Sequence, residues 1–380
     1  MSDSVIDLSP VAGVEALDAL VPGRSLPLGL LEPPDMWLDF ADGAVVLRLT
    51  AWVEPATASD DEVEPPNGVY VTLALNGVRF EPLSETRGDM PSLTAAPGGG
   101  VEVRLVVSDD GSTDSTVDLL TRWSASDPRI RLLPRRQGEP GVAGNFLHLF
   151  TAHDPDGSFV AFSDQDDVWH LDKLSSQLEL MGSRGADVVS SNVMAFRCDR
   201  DGSVRDRHLI RKSGPQRRWD YIFEAAGPGS TYVFSPDAHR RLVGALARLD
   251  PTGVDVHDWY LYALARALGA TWVIGEEPTL EYRQHDSNVQ GANSGAGATR
   301  ARMEKLRSGF YRRQFILVAQ ACLSVGSYDA RERRALESLA ANLRSTSVWS
   351  RFAFALRFAR IRRQLTEGIK LAGARVLGVW

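Results

Sequence analysis

Apolar residues come in short blocks through the middle of this chain. Val69–Leu75 (VYVTLAL), 101–110 (VEVRLVVSDD), 129–133 (RIRLL), 158–164 (SFVAFSD) and 186–192 (ADVVSSN) are runs of strand length rich in β-branched and aromatic residues. Between them, 113–123, 142–152 and 170–181 carry apolar residues at helical spacing. Strands alternating with helices predict a mostly parallel central sheet flanked by helices, an α/β architecture. A further unit at 225–239 (AAGPGSTYVFSPDAH) reads as a glycine-containing turn, a strand and a helix. After residue 300 the pattern turns wholly helical, with arginines on the faces away from the apolar stripe. Before residue 65, 43–53 (GAVVLRLTAWV) resembles strand and 54–68 is an acidic, Pro-rich linker. Three regions are therefore expected: an N-terminal extension (1–65), an α/β domain (66–298) and a basic helical region (299–380).

Composition changes this picture little. The chain of 380 residues is 43% hydrophobic and 24% charged, ordinary for a globular protein. Its two cysteines, Cys198 and Cys322, form no CxxC pair, which argues against a disulfide scaffold or zinc site and fits a reducing compartment. Neither a signal-peptide pattern nor an apolar run near the ~18–20 residues of a membrane span is evident, so a cytoplasmic location is expected. Charge is more informative. The net charge is −7, yet residues 300–380 hold 17 Lys/Arg against 5 Asp/Glu. A basic tail on an acidic body suits an anionic surface, and a membrane is the expected one, on its inner face. With no zinc-finger spacing or RNP-like motif, nucleic acid is not expected as a partner.

The acids concentrate where strands end. Asp164, Asp166 and Asp167 lie within four residues after the run 159–162. Like charges this close repel unless a cation offsets them, and Mg²⁺ or Mn²⁺ has the hard-oxygen preference to do so. The competing explanation is a helix N-terminus that favours acids through its dipole. The second cluster, SDDGSTD (108–114), places Asp109 and Asp110 at a strand end. Gly111 allows close backbone approach, Ser112 or Thr113 is the expected helix cap, and Asp114 falls in the first turn. In parallel sheets ligands bind at the carboxyl ends of the strands, where both clusters fall.

Taken together, VVSDDGSTD (106–114), FSDQDDVW (162–169), HDW (257–259) and YRQHDSNVQGAN (282–293) resemble family 2 glycosyltransferases of GT-A fold, and within them the rhamnosyltransferase-like branch. The resemblance covers about residues 69–293. It implies a nucleotide-diphospho-sugar transferase fold and inverting, metal-dependent transfer of a sugar, rhamnose among the candidates. The donor would be a dTDP-, UDP- or GDP-sugar and the acceptor a glycan or lipid-linked molecule, in cell-envelope or surface polysaccharide synthesis. It assigns Asn76, Asp109, Asp110, Asn145, Asp164, Gly229 and Ser230 to nucleotide-sugar binding. Asp164, Asp166 and His285 are the implied metal ligands and Asp258 the general base, with Asp167 helping to orient the site. Where the family has a Thr-Tyr-Asn-like triplet, the first strand here ends Ala74-Leu75-Asn76, and the following segment carries Pro82, Gly88, Pro91 and Pro97 in place of a long helix. The rival readings are transfer of another hexose and a degenerate, non-catalytic scaffold held at the membrane.

Overall fold

The computed structural model describes most of the chain from Val103 onward and a few short strands before it. Residues 1–38, 42–43, 47–68, 76–92, 95–99, 102, 153, 156, 166, 171, 199–203 and 285–295 lie outside the described residues. Most of the expected N-terminal extension and linker falls there, as do Asn76, Asp166 and His285.

In chain order, β1 (Asp39–Ala41) and β2 (Ala44–Val46) pair with each other. Next come β3 (Val69–Leu75), β4 (Leu93–Thr94), β5 (Gly100–Val101) and β6 (Val103–Asp109). Then follow α1 (Thr116–Ser126), β7 (Ile130–Leu132), α2 (Val142–Thr151), β8 (Phe159–Asp164), β9 (Val168–Trp169) and α3 (Lys173–Arg184). The chain continues through β10 (Val188–Ser191), β11 (Val193–Cys198), β12 (Val204–Ile210), α4 (Asp220–Phe223), β13 (Val233–Phe234), α5 (Pro236–Leu246) and α6 (His257–Ala267). Strands β14 (Trp272–Gly275) and β15 (Leu280–Arg283) precede the helical region. That region comprises α7 (Ala296–Arg307), α8 (Phe310–Val325), α9 (Ala330–Arg344), α10 (Val348–Ala355), α11 (Phe358–Ile361) and α12 (Leu365–Val376).

Seven strands form the central sheet in the order β14-β10-β13-β8-β3-β6-β7. Every pair is parallel except the two made by β13, which runs antiparallel to both β10 and β8. The expectation of a mostly parallel sheet therefore holds, with one inverted strand. Side-chain alternation splits the core between the two faces. Val106, Val160 and Phe162 join an aromatic cluster with Phe146, Phe150 and Phe234. Leu105, Val107 and Ala161 join the opposite cluster with Leu120 and Trp123. Burying each large side chain contributes about 1.5–3 kcal/mol.

A second sheet, β12-β11-β15-β9, was not foreseen. Its short strand β9 pairs with β15 (Leu280↔Trp169, Glu281↔Val168). That pairing explains a displaced helix. The pattern places a helix from His170, but Val168 and Trp169 are used as strand and α3 begins at Lys173. Helix α1 is likewise late, starting at Thr116 rather than 113. Ser112 does not cap it, because its hydroxyl donates to Asp109. Asp114 instead accepts from the Thr116 amide at 3.0 Å, just ahead of the first turn.

The helical region packs onto the aromatic face of the sheet domain. Phe315 of α8 meets Phe223 at 4.7 Å and Trp259 at 5.5 Å between ring centroids, and Trp380 at 5.4 Å. Phe354 of α10 is fully buried and touches Phe223. Phe354 and Ile361, both within the basic segment 349–365, are thus built into the core.

Candidate active site

Register gathers the acids. Strand β3 lies between β6 and β8, with Leu75 opposite Asp109 and Ala74 opposite Asp164. With neighbouring strands about 4.8 Å apart, both aspartates stand at the same carboxyl end of the sheet, one on each side of β3. Asn76 follows β3 directly in sequence but lies outside the described residues.

Asp109 and Asp110 are both buried and both engaged. Asp109 accepts from the Gly111 and Ser112 amides at 2.9 and 3.0 Å and from the Ser112 hydroxyl, so it shapes its own turn. Gly111 sits at φ +106, and a Cβ there would meet the Arg135 guanidinium at 2.4 Å. Asp110 accepts from the Gly141 amide at 2.5 Å, at the start of α2, and pairs with Arg136 at 2.8 Å. Arg135 and Arg136 were not singled out in the sequence; the tripeptide Pro134-Arg135-Arg136 after a short strand carries no distinctive spacing. Asn145 was expected to contact the nucleotide sugar. It is fully buried, and its amide accepts from the Ser108 hydroxyl at 2.6 Å and donates to the Ser108 carbonyl at 3.0 Å. Asn145 therefore braces β6 against α2 and offers no exposed surface to a ligand.

The two described aspartates of the 164–167 segment, Asp164 and Asp167, divide their work. Asp164 ends β8 and stays partly exposed. Asp167 is 2% exposed and points inward. It accepts from the Ser230 hydroxyl at 2.5 Å and the Arg283 amide at 3.2 Å. Its charge also favours the buried Lys173 ammonium, which burial lowers to a pKa of about 7. Lys173 donates to Gln177 at 2.6 Å and lies 4.5 Å from the Trp169 ring centroid. Asp167 thus ties the aspartate turn to Gly229–Thr231, a single helical turn within the glycine-containing unit 225–239. Gly229 and Ser230 are themselves buried.

That loop borders the HDW tripeptide opening α6. His257 stacks on Phe146 at 3.9 Å, and burial lowers its pKa to about 3, so its ring is neutral. A Cβ on Gly229 would stand 2.6 Å from His257 Nε2 and 3.4 Å from Asp258 Cβ. Trp259 donates its indole N–H to the Tyr221 carbonyl at 2.9 Å. Asp258 is half-buried at the first turn of α6 and accepts from the Trp259 amide at 2.6 Å. Burial pushes its carboxyl up to about 6; the Trp259 amide, the Lys212 charge and the Gly229 amide offset part of that rise. A carboxylate poised near neutral pH can take a proton from a hydroxyl.

Asp164 is a hard, partly exposed oxygen donor of the kind a divalent cation prefers. No group of three or more His, Cys, Asp or Glu suited to a metal occurs among the described residues, and Asp166 and His285 lie outside them.

Residues 93–244 match the family described as glycosyl transferase family 2. Over 225 residues the chain is 34% identical to the dTDP-rhamnosyl transferase RfbG of Shigella flexneri, covering 58% of this chain and 76% of that protein. It is 29% identical over 246 residues to an uncharacterized glycosyltransferase of Nostoc, alr2836, covering 63% of this chain and 68% of the other. Among solved structures, Staphylococcus aureus TarS 1–349 in complex with UDP-GlcNAc overlaps loosely, with TM-score 0.45 and 12% identity over 82% of this chain and 89% of that one. The chain belongs to glycosyl transferase family 2, on its rhamnosyltransferase-like side, and is a glycosyltransferase of GT-A fold.

Proposed function

We propose that this chain transfers a sugar, rhamnose being the leading candidate, from a nucleoside-diphosphate sugar to a hydroxyl of a glycan or lipid-linked acceptor in surface polysaccharide synthesis, with inversion at the anomeric carbon. The observation that carries the reading is Asp258: a half-buried carboxyl with pKa about 6, beside the Gly229–Ser230 loop and near the aspartate-rich ends of the sheet. The similarity to a dTDP-rhamnosyl transferase supports the choice of donor.

The acceptor oxygen bonds to the anomeric carbon as the bond from that carbon to the diphosphate oxygen breaks. Asp258 takes the hydroxyl proton, and the bonding pair leaves with the nucleoside diphosphate. The Gly229–Thr231 turn, held by Asp167, fixes the wall beside the base. Asp109 and Asp110 keep the β6 turn and the start of α2 in place on the nucleotide side. A Mg²⁺ or Mn²⁺ ion would be held by Asp164, with Asp166 and His285 as further ligands, and would supply charge neutralisation of the leaving diphosphate.

The reading includes the membrane. Of the eleven exposed large hydrophobic residues among those described, eight fall within 348–377. Trp349 on α10 is 85% exposed, Leu356, just past α10, is 84% exposed, and Leu377, just past α12, is 81% exposed. Such a concentration favours an interaction surface, and its basic surroundings favour anionic lipid at the cytoplasmic face. Among the described residues no helix is long and apolar enough to cross a membrane.

The test is release of free nucleoside diphosphate from dTDP-, UDP- and GDP-sugars in the presence of acceptor and Mg²⁺ or Mn²⁺. Acceptor-dependent turnover with at least one donor is expected. Absence of turnover with all three, despite nucleotide binding, would favour the scaffold reading.

A further inference from the structure

Between α11 and α12 the chain leaves the C-terminal helices and enters the catalytic half. Arg363, at its centre, is only 5% exposed. Its backbone N–H donates to Glu224 Oε1 at 2.5 Å. Its guanidinium donates from Nε to the Lys212 carbonyl at 3.1 Å, from Nη1 to Asp220 Oδ2 at 3.3 Å and from Nη2 to the Ala225 carbonyl at 2.5 Å. The neighbouring Arg362 donates to the Phe223 carbonyl at 2.7 Å.

These acceptors are not scattered. Four belong to the segment 220–225, which runs directly into the Gly229–Thr231 turn beside Asp258. The fifth, Lys212, is gripped from its other side by Asn192, whose Oδ1 accepts the Lys212 amide at 2.6 Å at the end of β10. The Lys212 charge in turn acts on Asp258. Burial and the flanking Arg363 and Arg362 hold the Lys212 ammonium below the usual lysine range. A buried guanidinium is costly unless its donors are satisfied, and its planar fork fixes what it binds. Pairing with Asp220 alone would neutralise the charge. This fork also clamps two backbone carbonyls, one on each strand of chain leading to the base.

We propose that Arg363 is a positioning residue of the transfer site: it holds 224–230 and the Lys212 backbone in register with Asp258, so that the C-terminal region completes the site. The inference rests on the reading of Asp258 as the base.

The test uses the full chain with Arg363→Lys, Arg363→Gln and, as a control, Arg312→Ala. Arg312 grips the Leu343 and Arg344 carbonyls within the C-terminal helices. Arg363→Lys keeps the charge opposite Asp220 but loses the fork. We expect it to stay folded and bind nucleoside diphosphate as the parent does, while kcat falls about 10- to 100-fold, the scale of a small misplacement. Arg363→Gln should lose at least as much in its folded fraction. Arg312→Ala should lower the melting temperature yet keep the parent kcat. Parent-like kcat in Arg363→Lys, or an equal loss in Arg312→Ala, would overturn the proposal. Asp258→Asn, measured alongside, keeps the two readings apart: full activity there, with loss in Arg363→Lys, would reject the base but keep the positioning role.

Discussion

At the scale of single residues, the aspartates illustrate how one residue type does opposite jobs. Asp258→Asn should cut kcat by about 10²–10⁴-fold while nucleotide affinity, read by calorimetry, stays unchanged. With the parent carboxyl at about 6, activity should fall below pH 6, because only the deprotonated form accepts a proton. The same shift makes a stability prediction. A carboxyl whose folded pKa lies above its unfolded value stabilises at low pH and loses that contribution as pH rises through 6. In metal-free buffer the melting temperature of Asp258→Asn should therefore gain on the parent between pH 4 and pH 7. Asp164→Ala should abolish metal-dependent transfer and leave the melting temperature near the parent's. Asp167→Ala should do the reverse first. It strips the Ser230 hydroxyl and Arg283 amide of an acceptor and isolates buried Lys173, costing on the order of 2 kcal/mol or more, measured by denaturant unfolding.

At the scale of elements, the apolar runs located β3, β6, β8 and β10 to within a few residues, because buried parallel strands are almost continuously apolar. Helix starts were misjudged where polar side chains serve the preceding turn, as Ser112 does for Asp109. The second sheet escaped notice because β12, VRDRHLI, carries charged residues and β9 is two residues long. The HDW and aspartate motifs were legible in the sequence; the inward turn of Asp167 and the insertion of Arg363 were not, since both depend on contacts across long stretches of chain. The junction of the Gly229–Thr231 turn with α6 is close-packed. Gly229→Ala should push the turn off His257 and Asp258, lowering kcat more than donor affinity, as steady-state kinetics would show.

At the scale of the whole molecule, the helical region serves two surfaces. Its inner side carries Phe315 and Phe354 into the core, so a chain cut at residue 298 would lose part of the catalytic domain's packing. The membrane prediction is therefore best tested by substitution: a full-length triple variant, Trp349→Ser, Phe352→Ser and Leu356→Ser, should keep its fold and lose flotation with anionic vesicles. Equal flotation of variant and parent would remove this surface as the anchor. The inverted strand β13 has a consequence for synthesis. It lies between β8 and β10, so β10 cannot join β8 and the strands beyond it until residues 233–234 have been made. Until then the nascent chain holds two apolar strands with open edges, the usual starting point for wrong pairing between chains. Slow delivery of those few residues would leave this protein dependent on chaperones during a brief interval of its manufacture.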